Sequence, residues 1–180
     1  MTQRIINFLD TETTGLNEPD ERIIEYCAML FDLDTEQHLK TYTWRCNPMR
    51  KIGAKALKVH GITLAELENE PLFDAIAPLI RGTIDTAYAV VAHNGHYFDF
   101  DFIERECRRV GAPVRFPIKF DTMTEARFAT PMGKLPKLEE LAASLEIEYD
   151  RAKAHAAEYD VDVMQKCFFA ARRLNWFKLP

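Results

Sequence analysis

The sequence lacks the long apolar runs that mark membrane proteins. No stretch approaches the roughly 18 apolar residues that a bilayer-spanning helix needs. The first apolar stretch, Ile5 to Leu9, is short and has no basic lead, which does not fit a secretory leader. We therefore expect a cytoplasmic protein that makes no membrane contact.

Cysteine is scarce, and its spacing is irregular. None of the four cysteines forms the paired spacings of zinc or redox motifs: Cys27, Cys46, Cys107 and Cys167. We expect reduced structural thiols, no disulfide and no zinc site. Low-complexity segments are also missing, and the 47% hydrophobic and 28% charged composition predicts one folded domain over residues 1–180.

An excess of positive charge is missing too. The formal net charge of −5 argues at first against a polyanionic partner. That objection weakens if four of the acids hold two divalent ions, because the balance then approaches neutrality. A basic cluster that includes Arg105 and Arg109 could face a phosphate backbone, although a solvated helix face explains it equally well. Net charge therefore does not decide the partner.

The most informative stretch that is present is FLDTETTGL at residues 8–16. The apolar run before it predicts a buried strand, and side chains two apart on a strand point the same way, so Asp10 and Glu12 should project together. Two adjacent carboxylates repel each other unless a cation lies between them, and oxygen ligands favour Mg²⁺ or Mn²⁺. The alternative is a surface turn whose two acids are only solvated.

The remaining pattern predicts strands first and then helices interleaved with strands. Strands are expected at residues 22–33 and 39–46, and a second buried strand at 88–92 runs into His93-Asn94-Gly95. Helices are expected near residues 98–110 and 156–174. This order is typical of one α/β domain.

Two further acids lie at the starts of these helices. Asp99 opens the helix after the second buried strand, and Asp160 begins the inward face of the last helix. Each could be an ordinary helix cap or an exposed acid. His155, five residues before Asp160, would not share its face in a continuous helix, so we place it on the preceding loop. There its imidazole could act as a base at neutral pH.

Together these residues resemble a known enzyme family. FLDTETTGL at 8–16, VAHNGHYFDFDFI at 91–103 and HAAEYDV at 155–161 are similar to the three successive motifs of the DEDDh (DnaQ-like) 3′-to-5′ exonucleases. The family's fold is ribonuclease H-like, an α/β fold with a mixed five-stranded sheet flanked by helices. Its four acids match Asp10, Glu12, Asp99 and Asp160, and its histidine matches His155. Asp101 competes with Asp99, because the second motif has one residue more than in many members.

The resemblance implies metal-dependent hydrolysis of the terminal phosphodiester of single-stranded DNA, with release of nucleoside 5′-monophosphates, in proofreading or repair. The four acids would hold two divalent ions, Mg²⁺ or Mn²⁺, and His155 would deprotonate the attacking water. Asp10 would bridge both ions.

The resemblance also implies contacts to the substrate. Thr13 would approach the 3′ hydroxyl, Leu16 would wedge between the last two bases, and Phe98 or Phe102 could line the base pocket, although a core position explains either phenylalanine. His93 and Asn94 of the second motif complete the predicted contact set.

Several alternatives stay open at this point. The enzyme could trim RNA or degrade short oligoribonucleotides, because RNA preference depends on contacts to the 2′ hydroxyl that no motif encodes. A protein of another class is a non-catalytic nucleic-acid-binding or polymerase-associated subunit. A polymerase or a second copy of the chain are possible partners.

Overall fold

A computed structural model describes residues 3–16 and 19–179. Its five strands are β1 (Ile5–Thr13), β2 (Ile23–Asp32), β3 (His38–Arg45), β4 (Ala89–Ala92) and β5 (Lys119–Asp121). Its α-helices are α1 (Ala54–His60), α2 (Leu64–Leu67), α3 (Phe73–Asp85), α4 (Asp99–Arg109), α5 (Thr122–Glu125), α6 (Leu138–Ser144) and α7 (Ala157–Arg173). Two 3₁₀ turns lie at Arg127–Ala129 and Pro131–Gly133.

The strands form one mixed sheet in the order β3-β2-β1-β4-β5. β1 pairs antiparallel with β2, and β2 pairs antiparallel with β3. β4 is parallel to both β1 and β5. The predicted mixed five-stranded sheet flanked by helices is therefore confirmed. Because β1 and β4 run in the same direction, their carboxyl ends meet at one edge of the sheet.

Helices cover both faces of this sheet, because the strands alternate apolar side chains between them. Phe8 of β1 packs on one face with Phe168 and Phe169 of α7. Leu9, the next residue, packs on the other face in a cluster with residues of α3 and α4. Within the described part of the chain, no helix is long and apolar enough to cross a membrane.

The four cysteines lie in these cores. Cys27, Cys46, Cys107 and Cys167 are all buried and free. Burial raises the pKa of each thiol to about 12, so the thiolate form is disfavoured. These positions agree with the expected role as reduced, structural thiols.

Candidate active site

The alternation of β1 carries two acids to the sheet edge. Ile6 and Phe8 are buried against the α7 face, so Asp10 and Glu12, two and four residues further on, continue on that face. Both acids are partly buried and line one cavity of about 810 Å³. The predicted joint projection of Asp10 and Glu12 is therefore found in the fold.

Asp99 reaches this edge from α4. It is 1% exposed, and its Oδ1 accepts hydrogen bonds from the Thr11 backbone N–H at 3.0 Å and the Thr11 hydroxyl at 2.7 Å. Thr11 lies between Asp10 and Glu12, so this pair of bonds joins α4 to the acid-bearing end of β1. Asp101 is exposed on the same helix and lies outside the cavity lining. The helix therefore directs Asp99 inward and Asp101 toward solvent.

His155 and Asp160 come from the turn before α7 and from α7 itself. His155 lies in a turn before α7, as its offset from Asp160 predicted, and has a left-handed backbone with φ of 65°. Its backbone N–H donates to Asp160 Oδ2 at 3.0 Å. Both residues line the cavity with Asp10 and Glu12. The backbone of His155 makes this contact to Asp160, so the imidazole does not take part in it.

Burial raises the pKa values of all four acids, and repulsion by the other site acids raises those of Asp10 and Glu12 further. Desolvation is the main cause for Asp10, whose pKa is well above its ordinary value, with Asp99 the next contributor. Desolvation and the charges of Asp160 and Glu25 raise the pKa of Glu12 to about 8. Burial raises the pKa of Asp99 to about 7 against the Thr11 hydrogen bonds, and it also raises the pKa of Asp160. A nearby cation would relieve this repulsion.

The donor set also fits hard divalent ions. Asp160 Oδ1 is buried without a hydrogen-bond partner, although Oδ2 of the same carboxylate is bonded. Such an unpaired buried oxygen is costly unless something else approaches it. Among the described residues, no group of three or more His, Cys, Asp or Glu side chains is already arranged as around a metal ion. The unpaired oxygen of Asp160 and the repelling carboxylates of Asp10 and Glu12 therefore fit a divalent cation.

Asp121, at the end of β5, is a further buried acid near the candidate active site. Its buried carboxylate accepts backbone hydrogen bonds from Asn94 and His96, both at 3.0 Å, and from Met123 at 2.9 Å in α5. It thereby ties the end of β5 to the loop between β4 and α4. This fixes the loop that leads into Asp99.

The same loop is tightly packed at Gly95. A Cβ at this position would lie 2.6 Å from the Ala92 Cβ and 2.8 Å from Phe100 Cε2. A larger residue would therefore displace the start of α4.

His93 lines the cavity but already uses both ring nitrogens. Nδ1 lies 2.9 Å from the Thr122 hydroxyl and Nε2 lies 3.2 Å from the Pro136 carbonyl oxygen. A neutral ring that donates from Nε2 and accepts at Nδ1 satisfies both partners. Burial accordingly lowers the pKa of His93 to about 4. Both ring nitrogens of His93 are therefore used within the fold, where they stabilise the cavity wall.

The other predicted substrate contacts divide between cavity and core. Thr13, Leu16, Asn94 and Phe98 all line the cavity, and Leu16 is 66% exposed at its rim. The Thr13 hydroxyl is engaged with the Gly15 carbonyl oxygen at 2.8 Å. Phe102 is the exception, because it is 4% exposed in the core and lies outside the cavity lining. Its ring packs against Phe98, one turn earlier, which does reach the cavity.

Comparison with known proteins agrees with this geometry. Residues 8–168 match the model of the exonuclease family named for ribonuclease T. The chain belongs to this exonuclease family. The resemblance to the DEDDh (DnaQ-like) 3′-to-5′ exonucleases is thereby confirmed.

Relatives within the exonuclease family include two kinds of bacterial protein. The epsilon subunit of DNA polymerase III from Buchnera aphidicola is 32% identical over 178 residues, which cover 93% of this chain and 73% of that protein. The 3′-5′ exonuclease DinG from Bacillus subtilis is 32% identical over 157 residues, which cover 86% of this chain but 16% of that protein. The chain thus spans only a small part of some of its relatives.

Solved exonuclease structures share the fold. Exonuclease I of E. coli, in complex with a dA16 oligonucleotide, aligns with a TM-score of 0.78 at 20% identity. The alignment covers 95% of this chain and 41% of that chain. This likeness identifies the sheet and its helices as the ribonuclease H-like fold of such exonucleases.

Proposed function

We propose that this chain is a metal-dependent 3′-to-5′ exonuclease that hydrolyses the terminal phosphodiester of single-stranded DNA and releases nucleoside 5′-monophosphates. The observation that carries the proposal is a single cavity of about 810 Å³ lined by Asp10, Glu12, Asp160 and His155, with Asp99 buried behind Thr11. This volume lies in the range of roughly 300–1,000 Å³ that is usual for small-ligand sites, and it suits one terminal nucleotide.

Asp10, Glu12, Asp99 and Asp160 would hold two divalent ions, Mg²⁺ or Mn²⁺. Such ions supply charge neutralisation for a phosphodiester and its attacking and leaving oxygens. Four mutually repelling carboxylates and the unpaired Oδ1 of Asp160 support this assignment.

The exposed imidazole of His155 would accept the proton of the attacking water. The exposed turn that carries it lines the same cavity as the acids on β1. A neutral imidazole can accept a proton at neutral pH, whereas another carboxylate would add to the repulsion.

Single-stranded DNA and a proofreading or repair type are the finer parts of the proposal. They are supported by the epsilon subunits of DNA polymerase III among the relatives and by the oligonucleotide bound to exonuclease I. Thr13, Leu16, Asn94 and Phe98 would contact the terminal nucleotide, and their common position in the cavity lining supports this part of the proposal. His93 is placed to support that wall.

The test compares 5′-labelled DNA and RNA single strands of matched sequence with Mg²⁺ or Mn²⁺. We expect stepwise shortening from the 3′ end, faster for DNA, with nucleoside 5′-monophosphates as the separated product. The Asp10→Asn variant should lose at least about 10³-fold in rate while its circular dichroism spectrum is retained, since a charge that stabilises the transition state is removed. Faster RNA trimming would overturn the DNA assignment, and equal activity of Asp10→Asn would overturn the site.

A further inference from the structure

One segment of this acidic chain carries only positive charge. Residues 37–65 contain six basic side chains and no aspartate or glutamate, although the chain has 28 acids and a net charge of −5. The six are Lys40, Arg45, Arg50, Lys51, Lys55 and Lys58. The segment includes β3 and α1, and α1 forms one wall of the candidate active-site cavity through Lys55, Ala56, Val59 and His60.

Only part of this positive charge is used inside the fold. Arg45 pairs with Glu25 at 2.5 Å, and Arg50 lies 3.5 Å from Glu21. Lys51, Lys55 and Lys58 are exposed, and none of them forms an ion pair or hydrogen bond with a described residue. Lys55, which lines the cavity, and Lys51 and Lys58, which are near it in the chain, are therefore unbalanced positive charges within the described part of the fold.

The opposite wall is different, because its basic side chains have acidic neighbours. Lys134 lies 3.6 Å from Glu140, and Arg151 lies 2.9 Å from Glu139. The third, Lys137, precedes Glu140 by three residues, and its backbone N–H donates to that carboxylate at 2.7 Å. Glu139 and Glu140 thus lower the net positive charge of that wall, whereas the segment that carries α1 contains no acidic side chain.

The positions of Lys55 and Lys58 on α1 indicate the direction in which a single-stranded nucleic acid would leave the cavity. In a helix, Lys58 lies about 60° around the axis from Lys55, on the side away from Ala56 and His60 of the cavity wall. Side chains three residues apart are neighbours, with about 5–6 Å between Cβ atoms. Lys55 therefore stands at the rim and Lys58 just outside it, spaced to meet neighbouring phosphates of one strand.

Apolar side chains of α1 are also exposed. None of the seven side chains of α1 is buried, and Val59 is 51% exposed while it lines the cavity. Leu16, at the same rim, is 66% exposed. Exposed apolar side chains beside free lysines suit a ligand that has both flat bases and a charged backbone.

We propose that α1 is the seat for the nucleotides upstream of the 3′ end, with Lys55 and Lys58 contacting their phosphates. The inference rests on the proposed function and adds the path of the strand, which leaves the cavity over α1 and not over the wall formed by residues 134–151. Lysine acts as a point charge, so this seat would recognise the phosphate backbone of the nucleic acid and not its base sequence.

Equilibrium binding tests the seat without catalysis. Fluorescence anisotropy with labelled dT2, dT6 and dT12 in metal-free buffer compares the wild type with Lys55→Gln/Lys58→Gln. We expect a two- to fivefold loss of dT12 affinity per lysine at low salt. The slope of log affinity against log salt should fall by about 0.7 per lost phosphate contact. The loss should shrink as the oligonucleotide shortens to dT2.

A matched double variant controls for net charge. Lys40→Gln/Lys178→Gln also removes two exposed lysines, neither of which lines the cavity. It should retain the length dependence and salt slope of the wild type. If both double variants behave alike, or if the loss is the same for dT2 and dT12, the seat on α1 is wrong.

The outcome is separable from that of the proposed function. A chain that shortens DNA ends but whose two double variants bind alike contradicts the seat alone. A chain that binds dT12 through Lys55 and Lys58 but hydrolyses no end contradicts the hydrolysis alone.

Discussion

The two halves of the candidate active site are held in different ways. Asp10 and Glu12 lie on β1, which is hydrogen-bonded to β2 along its length and to β4 beside it. Asp99 is joined to the same strand through two hydrogen bonds to Thr11. His155 instead lies in an exposed turn, in a left-handed conformation. Asp10, Glu12 and Asp99 are therefore fixed by the sheet, whereas the His155 imidazole is held only by its local turn.

This difference suits the chemistry that each half would perform. Carboxylates that repel one another need a rigid frame, since otherwise they would move apart in the absence of a cation. A base that accepts and then releases a proton benefits from access to solvent. The two halves meet at Asp160, whose backbone belongs to α7 and whose carboxylate accepts from the His155 backbone.

The most direct test of the acids held by the sheet is to substitute Asp99 and Asp101 separately. Asp99→Asn removes a charge at the end of β1, so the nuclease rate should fall by about 10³-fold. Asp101→Asn removes the same charge from an exposed position two residues away and should stay within about twofold of the wild type. Initial rates on a labelled oligonucleotide measure both. The reverse order would make Asp101 the ligand and would reassign the second motif.

The variant His155→Asn tests the imidazole in the turn with the least disturbance of the backbone. Asparagine tolerates a positive φ better than most residues, so the turn and its backbone bond to Asp160 should be retained. We expect the rate to fall by about 10²- to 10⁴-fold, the usual contribution of a general base. Affinity for a single strand in metal-free buffer should change little.

His155→Ala is the matched comparison. It removes the same imidazole but is less favourable in the left-handed region, so it should combine the rate loss with a small loss of stability. Equal losses of rate and affinity in both variants would indicate that His155 binds substrate and is not the base.

The sequence predicted the positions of Asp10, Glu12 and His155 well, because these positions depend on local periodicity. Alternation along β1 predicted that Asp10 and Glu12 share a face, and the offset from Asp160 predicted a loop position for His155. The choice between Asp99 and Asp101 was open, because the second motif has one residue more than in many family members and both acids lie in the first turn of α4. The packing of that helix on the sheet decides which one is buried.

Other features escaped prediction because they depend on tertiary packing. Phe98 and Phe102 lie one helical turn apart, and only their position relative to the sheet places Phe98 at the cavity and Phe102 in the core. Asp121 caps α5, and its carboxylate also fixes the backbone of residues 94 and 96 in a distant loop. No local pattern signals such a long-range contact.

The smallest expected effect is the pH dependence of stability without metal. The pKa of Glu12 is raised to about 8 and that of Asp99 to about 7, so the folded state binds protons more tightly than the unfolded state. Stability from these groups is therefore present at low pH and is lost as pH rises through their folded values. His93, with its pKa lowered to about 4, acts oppositely but only below about pH 6.5.

The comparison between the halves predicts how this titration responds to variants and ions. In metal-free buffer, the melting temperature should fall by several °C between pH 6.5 and 8, at a few °C per kcal/mol for a chain of this size. Mn²⁺ should abolish the fall, because a cation favours the charged carboxylates. Asp99→Asn should reduce the fall, since one of the repelling charges is gone, whereas His155→Asn should leave it unchanged. A melting temperature that is flat over this range, or that falls equally with Mn²⁺, would show that the sheet does not hold these carboxylates against their mutual repulsion.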